Sequence, residues 1–181
     1  MTRALLLIDI QNDYFPGGAL PLHAMEAAAD NAASLIKHFR TRGEAVIHVQ
    51  HLSVRPGATF FIPGTPGADI HTAVAPASGE VVVQKNFPNA FRASTLGETL
   101  TTGGITELVI VGAMSHMCID ATTRAAFDAG YSCTVAADAC TTRALQFDGT
   151  ELPASTVHAT FMAALSAPYA RIERTAALIV D

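Results

Sequence analysis

The stretch from Val111 to Cys133, VGAMSHMCIDATTRAAFDAGYSC, contains a complete strand, turn and helix, and it decides the fold class. An apolar run ends at Ala113, and residues 116–130 have the spacing of an amphipathic helix that stops at a glycine. Cys118 lies between the two, in what the pattern predicts to be the first turn of the helix. This position raises the question whether the cysteine packs in the core or carries out chemistry.

The same alternation of strand and helix extends along the chain. The pattern predicts strands over residues 3–10, 44–52, 80–85, 105–113 and 131–140, and helices over residues 24–43, 93–104, 116–130 and 153–169, before a last edge strand and a short helix. Such alternation is typical of an α/β protein with a parallel sheet and helices on both faces. Because the chain has 181 residues and no evident linker, residues 1–181 are predicted to form a single domain.

The composition excludes several classes of protein. Half of the residues are hydrophobic, 15% are charged and the net charge is -5, so we expect neither disorder nor nucleic-acid binding. The three cysteines, Cys118, Cys133 and Cys140, lack CxxC spacing and are odd in number, which argues against a disulfide framework or a zinc ribbon. The first apolar run meets Asp9 too early for a signal peptide or a membrane span. We therefore expect a soluble, cytoplasmic protein that binds no membrane.

Three side chains with reactive groups lie at the carboxyl ends of predicted strands. Asp9 closes the first strand, Lys85 closes the third, and Cys118 follows the fourth. In a parallel sheet these ends meet at one edge, where α/β proteins bind their ligands. Each residue alone also has an ordinary interpretation, as a turn cap, a solvated strand end or a small buried side chain. Their coincidence at one edge favours a reactive site.

The chemistry of these groups is coherent. A thiol attacks as thiolate, and both a helix N-terminus and a nearby ammonium lower a cysteine pKa, so we expect Cys118 to be exposed and acidic. Asp9 could take the thiol proton and pass it to a leaving amine, while Lys85 holds the carboxylate in place. The backbone N–H groups of Met114 and Cys118 could bind the oxyanion of a tetrahedral intermediate, since Gly112 permits unusual backbone angles in this turn.

Three blocks of the sequence, LLLIDIQNDYF, VVQKNFPNAF and VIVGAMSHMCIDATTRAAFDAGY, resemble the isochorismatase-like cysteine hydrolase family, which includes nicotinamidases. The resemblance implies a Rossmann-like three-layer α/β/α sandwich with a six-stranded, mostly parallel sheet. It assigns Asp9, Lys85 and Cys118 to the family's Asp-Lys-Cys triad, and it implies a cis peptide bond between Ala113 and Met114. The stretch after the fifth strand resembles a branch described as streptothricin-hydrolase-like.

The resemblance also bears on metal binding. Nicotinamidases carry a metal site with an Asp-x-His after the second strand, and the corresponding stretch here is VQHLS, with His51 and Ser53 at the two positions. We therefore predict no metal and no cofactor. His48, His51 and His71 could still form another metal site, because histidine is a common ligand of transition metals.

In the family, residues that follow the first and third strands line the substrate pocket. The resemblance assigns to this pocket Gln11, Tyr14, Phe15, Asn86, Phe87 and Phe91. His116, two residues before the thiol, could also contact substrate. For the aromatic side chains, packing at the sheet edge is an equally good interpretation, and His116 could simply begin the helix. Residues 53–79 and 141–155, predicted as loops, would set the width of the pocket.

The intact Asp-Lys-Cys set favours hydrolysis of a carbon–nitrogen bond in a small amide, ureide or lactam, through a thioester. The isochorismatases that give the family its name cleave a vinyl ether and typically lack the cysteine. Two alternatives remain open: a metal-dependent nicotinamidase with a rebuilt metal site, and a non-catalytic or redox-sensing binding module. The resemblance also implies a homo-oligomer, either a dimer or a tetramer.

Overall fold

The computed structural model describes residues 2–180. Within this range the centre is a sheet of six strands: β1 (Thr2–Ile8), β2 (Ala45–His51), β3 (Val81–Lys85), β4 (Ile105–Ala113), β5 (Ser132–Thr141) and β8 (Arg171–Glu173). Their order across the sheet is β3-β2-β1-β4-β5-β8, and all neighbours run parallel. A separate antiparallel hairpin consists of β6 (Leu145–Phe147) and β7 (Thr150–Leu152).

The sequence of β1 explains its central place in the sheet. Leu5 and Leu7 face one apolar cluster, whereas Leu6 and Ile8 face the other, because successive side chains of a strand point to opposite sides. All four side chains are at most 2% exposed. A parallel strand covered on both faces needs such an uninterrupted apolar run.

Helices cover both faces of the sheet. Helices α1 (Met25–Thr41) and α5 (Thr175–Leu178) pack on one face, and α2 (Leu96–Thr102), α3 (Asp120–Asp128) and α4 (Ala154–Leu165) pack on the other. This arrangement confirms the predicted three-layer α/β/α sandwich, with a sheet that is parallel throughout. No helix among residues 2–180 has the length and apolar character that a membrane crossing requires.

Helix α1 shows how the local sequence determines an element. Its apolar side chains recur at helical spacing and form one buried stripe, consisting of Met25, Ala28, Ala29, Ala32, Leu35, Ile36 and Phe39. The helix ends before Gly43, whose φ of 67° suits the left-handed conformation that commonly follows a helix C-terminus. The predicted glycine stop is therefore confirmed.

The helix predicted over residues 116–130 is divided in two. Residues Ser115–Ile119 form a π-helical turn, and α3 begins only at Asp120. The N–H of Ile119 bonds to the carbonyl oxygen of Met114 at 3.2 Å, which is the wider i+5 pattern of such a turn. Cys118 therefore lies in a π-helical turn and not in the first turn of an α-helix, which corrects the sequence-based prediction.

The two segments predicted as loops contain short elements of their own. Within residues 53–79 the chain makes two 3₁₀ turns, Pro66–Ala68 and Thr72–Val74. Residues 141–155 contain the β6–β7 hairpin, whose two-residue tip, Asp148 and Gly149, has φ angles of 48° and 73°. Asp-Gly is a strong signal for a tight hairpin, so the sequence carried this information although the loop prediction overlooked it.

Candidate active site

The three residues predicted to react lie together at the carboxyl edge of the sheet. Asp9 follows β1 with a φ of 55°, Lys85 ends β3, and Cys118 lies in the turn after β4. The Nζ atom of Lys85 is 2.7 Å from Oδ2 of Asp9 and 3.3 Å from Sγ of Cys118. The exposed fractions of Asp9, Lys85 and Cys118 are 0%, 1% and 4%. The structure thus brings the predicted set together as a buried cluster.

A fourth side chain joins this cluster. The Nδ1 atom of His51 is 2.9 Å from Nζ of Lys85, because the two residues face each other in the register of β2 and β3. From the sequence we considered His51 only as a possible metal ligand. The available signal was its position, since His51 is the last residue of β2, between the strands that end near Asp9 and at Lys85.

Burial and charge determine the protonation of Lys85 and His51. Burial by itself lowers the pKa of Lys85, but the neighbouring Asp9 and Cys118 outweigh that effect and raise it, so the side chain is an ammonium. Burial and then the charge of Lys85 lower the pKa of His51 to about 4. His51 is therefore neutral at neutral pH, and its Nδ1 accepts a hydrogen bond from Lys85.

The thiol of Cys118 differs from our expectation. Burial, and after it the negative charge of Asp9, raise the pKa of Cys118 above its ordinary value, despite the opposing effect of Lys85. The prediction of an exposed and acidic thiol was wrong, because the turn buries the sulfur beside a carboxylate. At neutral pH the thiol keeps its proton, so attack by sulfur needs a base.

Asp9 is suited to be that base. Its Oδ2 is bonded to Lys85, whereas its Oδ1 is buried without a hydrogen-bond partner among residues 2–180. A carboxylate oxygen of Asp9 lies within 4.8 Å of the Cys118 sulfur. The orphaned oxygen can accept the thiol proton while the other oxygen stays held by the ammonium.

The turn before the thiol depends on a glycine. Gly112 has a φ of 122°, and a Cβ built on it would lie 1.9 Å from the carbonyl oxygen of Ile8. Only glycine lets β4 approach β1 so closely at this point. One residue further on, the peptide bond between Ala113 and Met114 is cis, as the family resemblance implied.

Tyr14 and an unpredicted aromatic residue lie beside the cluster. Tyr14 is 2% exposed, and its pKa is raised by burial and then by the charges of Asp9 and Cys118. Its ring lies 4.5 Å from the ring of Phe61, which in turn is 5.9 Å from the ring of His51. Phe61, in the segment 53–79, thus covers the site, and nothing in its local sequence distinguished it.

Gln11 is held by the protein backbone. Its Oε1 accepts from the N–H of His51 at 2.8 Å, and its Nε2 donates to the carbonyl oxygens of His51 at 2.9 Å and Ala68 at 2.7 Å. The side chain is fully buried. These bonds clamp the end of β2, and a direct contact between Gln11 and substrate stays a prediction.

The remaining predicted pocket residues take different positions. Phe15 stacks on the ring of His71 at 3.6 Å, and Asn86 donates to the carbonyl oxygen of Leu52 at 2.7 Å. Nδ1 of His116 lies 2.5 Å from Oγ1 of Thr142, the residue that follows β5. These side chains lie near the carboxyl edge of the sheet, and their roles in binding stay predictions.

The last two predicted pocket residues, Phe87 and Phe91, each contact another side chain. The guanidinium of Arg92 lies 3.8 Å from the centre of the Phe87 ring. Phe91 stacks against Tyr131, which precedes β5 at the opposite, amino end of that strand. Phe91 thus contacts a residue near the amino edge of the sheet, and the roles of Phe87 and Phe91 in substrate binding stay predictions.

The histidines considered as metal ligands do not meet. Nε2 of His48 is bound to Glu80 at 3.0 Å, His71 stacks on Phe15, and His51 contacts Lys85. Ligand atoms of Asp9, His51 and Cys118 do lie within 4.8 Å of one another. However, the ammonium of Lys85 is bonded to all three groups, so these donors fit a buried ammonium better than a metal ion.

Comparisons with known proteins show the family of this chain. The isochorismatase domain family model matches residues 3–169. The chain is 50% identical to the uncharacterised isochorismatase family protein YddQ of Bacillus subtilis, over 99% of both chains. It is 36% identical to a streptothricin hydrolase of Streptomyces noursei, over 76% of this chain and 49% of that one.

Solved structures show the same fold. The crystal structure of an isochorismatase from Pseudomonas putida KT2440 superposes with a TM-score of 0.91 at 36% identity, and the match covers 97% of this chain and 89% of that chain. The chain described here belongs to the isochorismatase family, as the three sequence blocks predicted.

Proposed function

We propose that this isochorismatase-family hydrolase cleaves the carbon–nitrogen bond of a small amide, ureide or lactam, with Cys118 as nucleophile. Asp9 acts as general base and acid, and Lys85 orients both. One observation carries the proposal: a single buried ammonium lies 2.7 Å from the Asp9 carboxylate and 3.3 Å from the Cys118 sulfur. A nucleophile, a base and an orienting group within hydrogen-bond reach are the signature of covalent catalysis.

The acylation step begins with transfer of the thiol proton of Cys118 to Asp9. The sulfur forms a bond to the carbonyl carbon, and the carbonyl π electrons move to oxygen, giving a tetrahedral oxyanion. Asp9 then returns the proton to the leaving nitrogen, the carbon–nitrogen bond breaks, and an amine or ammonia departs. Since the thiol has a raised pKa, this step depends on Asp9 more than on a standing thiolate.

Hydrolysis of the thioester completes the cycle. Asp9 takes a proton from water as the water oxygen bonds to the thioester carbon, and the carbonyl π electrons move to oxygen to give a second tetrahedral oxyanion. The oxyanion collapses, the carbon–sulfur bond breaks to release the acid, and Asp9 returns its proton to the departing Cys118 sulfur, which restores the thiol. The N–H groups of Met114 and Cys118 are the proposed donors to the oxyanion in both steps. The nearby ammonium of Lys85 stabilises the negative charge that moves between sulfur and carboxylate.

The relatives support this choice of bond. The chain is 34% identical to a maleamate amidohydrolase of Pseudomonas putida over 71% of this chain, and 29% identical to the nicotinamidase of Escherichia coli over 76%. The near-complete burial of the reacting groups favours a small substrate. Membership of this family is also compatible with the predicted single domain, cytoplasmic location and homo-oligomer, which remain proposals.

The two alternatives make different demands on the site. A nicotinamidase with a rebuilt metal site would need the metal to displace Lys85 from its partners or to bind elsewhere. A redox sensor would need a thiol that ionises easily, whereas burial and Asp9 raise the pKa of Cys118. Both observations favour the metal-independent hydrolase.

The test is amine release from a panel of nicotinamide, maleamate, ureidoacrylate and a streptothricin lactam, after treatment with a chelator. We expect release by the parent protein that survives chelation and disappears in Cys118→Ala. Cys133→Ala is the matched control, because Cys133 is also a buried cysteine but lies in the amino-terminal half of β5. Equal activity of parent and Cys118→Ala, or activity that only added metal restores, would contradict the proposal.

A further inference from the structure

The ammonium of Lys85 has three partners at three different strand ends. Its Nζ lies 2.7 Å from Oδ2 of Asp9, 2.9 Å from Nδ1 of His51 and 3.3 Å from Sγ of Cys118. An ammonium has three N–H donors and no acceptor, so these partners account for all of its hydrogen bonds. The side chain is 1% exposed, so bulk water does not replace a missing partner.

The three partners are not chemically equivalent. Asp9 and Cys118 exchange a proton in the proposed reaction, so their charge changes during each cycle. His51 does not need to change, because burial and the charge of Lys85 lower its pKa to about 4, with Asp9 opposing and Arg55 adding to that effect. Of the three partners, His51 is therefore the one that accepts from Lys85 in the same protonation state throughout the proposed cycle.

The backbone of His51 is itself fixed. Gln11 accepts from its N–H at 2.8 Å and donates to its carbonyl oxygen at 2.9 Å. The side chain of Gln11 is fully buried, and its amide also donates to Ala68. Because the amide of Gln11 binds both the N–H and the carbonyl oxygen of His51, the imidazole projects from a strand end of fixed position.

We propose that His51 is a positioning residue for the reaction, whose neutral Nδ1 holds the third N–H of Lys85 and so directs the other two at Asp9 and Cys118. Without this acceptor one N–H of a buried cation has no partner, and the head group can turn away from the sulfur or the carboxylate. This inference rests on the proposed function, and it assigns to His51 a role other than metal ligation.

The experiment compares three substitutions of His51. His51→Leu keeps much of the side-chain volume but has no hydrogen-bond acceptor. His51→Ala removes both the volume and the acceptor. His51→Asn keeps an acceptor at nearly the same place, because Oδ1 of asparagine and Nδ1 of histidine are both bonded to Cγ. His38→Ala is the matched control, since His38 lies in α1 and its ring is beside Phe39, outside the cluster.

We expect kcat to fall about 10- to 100-fold in His51→Leu and His51→Ala, the usual cost of losing a group that orients a reactive one. KM should change by less than about 3-fold, because the lost interaction does not contact substrate. His51→Asn should retain kcat within about 5-fold of the parent, because one acceptor replaces another. If His51 had a purely structural role, the kcat values of His51→Asn and His51→Leu would not differ in this way.

A second readout does not depend on the substrate. The rate at which iodoacetamide alkylates Cys118 should fall in His51→Leu and recover in His51→Asn, because a loosely held Lys85 stabilises the thiolate less well. If no amide is hydrolysed, the proposed function fails, but the alkylation rate still shows whether His51 positions Lys85. If circular dichroism shows that His51→Ala does not fold, the comparison of His51→Leu with His51→Asn still tests the role of the acceptor.

Two results would overturn the inference. One is equal kcat and equal alkylation in His51→Asn and His51→Leu, which would mean that the acceptor is irrelevant. The other is activity of the parent that is lost on chelation and restored by zinc, together with loss of that response in His51→Asn, which would make His51 a metal ligand.

Discussion

At the scale of single residues, the site combines groups that oppose one another in charge. The carboxylate of Asp9 favours the ammonium form of Lys85 but disfavours the thiolate form of Cys118. The resting state is therefore a neutral thiol beside an ion pair with both side chains fully buried. In the proposed reaction, negative charge reaches the sulfur only when Asp9 takes the thiol proton, so proton transfer and attack are coupled.

This coupling predicts opposite effects in one variant. In Asp9→Asn the base is lost, so hydrolysis should fall by about 10²- to 10⁴-fold, the usual contribution of a general base. Alkylation of Cys118 at neutral pH should instead become faster, because the negative charge that raises the pKa of the thiol is gone while Lys85 remains. The measurement is the rate of amide hydrolysis beside the rate of iodoacetamide modification across pH.

The control for that experiment is Asp69→Asn, an exposed carboxylate outside the cluster, which should change neither rate. Slower alkylation in Asp9→Asn, in a protein that still folds, would show that Asp9 does not set the pKa of the thiol.

At the scale of secondary-structure elements, the close contact of β1 and β4 positions Cys118, the proposed nucleophile. Gly112 lies opposite Ile8 in the register of these strands, and its φ of 122° is one that side chains rarely adopt. The contact brings the turn after β4 to the residue after β1, where Asp9 lies. The glycine therefore links the strand pairing to the geometry of the site.

Gly112→Ala should destabilise the protein by about 3 kcal/mol or more, since it combines a backbone clash with a strained φ. Gly130→Ala is the matched control: its φ is 91°, but a Cβ there has nothing within 4 Å, so about 1 kcal/mol is expected. Urea unfolding measures both. Similar losses of unfolding free energy in the two variants would contradict the importance of the close approach between Gly112 and Ile8.

A charged cluster holds the edge strand β3 to the rest of the sheet. Glu80, just before β3, pairs with Arg40 of α1 at 2.7 Å and with His48 of β2 at 3.0 Å. The bond to Arg40 is the main reason why the pKa of Glu80 is lowered to about 2. The stabilisation is therefore complete above the ordinary value of 4.5 and is lost as the pH falls towards 2.

Glu80→Gln should lower the free energy of unfolding at neutral pH by about 1 kcal/mol, a modest value because Arg40 is partly exposed. The difference from the parent should shrink when urea unfolding is repeated near pH 2.5. Glu98→Gln, an exposed glutamate of α2, should show no such difference at either pH. A gap that stays constant with pH would contradict the charged origin of the effect.

At the scale of the whole molecule, the sheet order decides which strand ends become neighbours. The order β3-β2-β1-β4 places the residues that end or follow these four strands around one point, although they are up to 109 positions apart, from Asp9 to Cys118. The segment 53–79 then covers this point with Phe61. Burial at the assembled edge is a property of the complete fold, and it changes how several groups titrate.

Acid should therefore destabilise the folded protein through its buried histidines. Burial lowers the pKa of His51 to about 4 and also lowers that of His48, from an ordinary value of 6.5. As the pH falls through 6.5, the unfolded chain binds protons that the folded chain does not, so the free energy of unfolding decreases until about pH 4. His51 should contribute about 1–2 kcal/mol of this decrease.

The measurement is the free energy of unfolding in urea at two values, about pH 7.5 and about pH 5. His51→Asn should lose less stability between these values than the parent does, whereas His71→Ala, at a half-buried histidine of the loop segment, should lose nearly as much. An unchanged pH dependence in His51→Asn would show that the histidine is protonated in the folded state.

The sequence by itself determined the layers of the fold and the chemical types at the strand ends. Apolar runs such as that of β1 require burial on both faces, and Asp9, Lys85 and Cys118 follow from the order of strands along the chain. The resemblance to the family added the cis peptide bond after Ala113. These features depend on the local sequence pattern and on residue identity, both of which are present in the sequence itself.

The tertiary structure alone decided what these groups do to one another. The meeting of His51 with Lys85 depends on the register of β2 and β3, whose residues are separated by a long segment. The raised pKa of Cys118 depends on burial and on the distance to Asp9. Distances between residues remote in sequence, and the exclusion of water around them, arise only when the sheet has formed and its covering segments have packed.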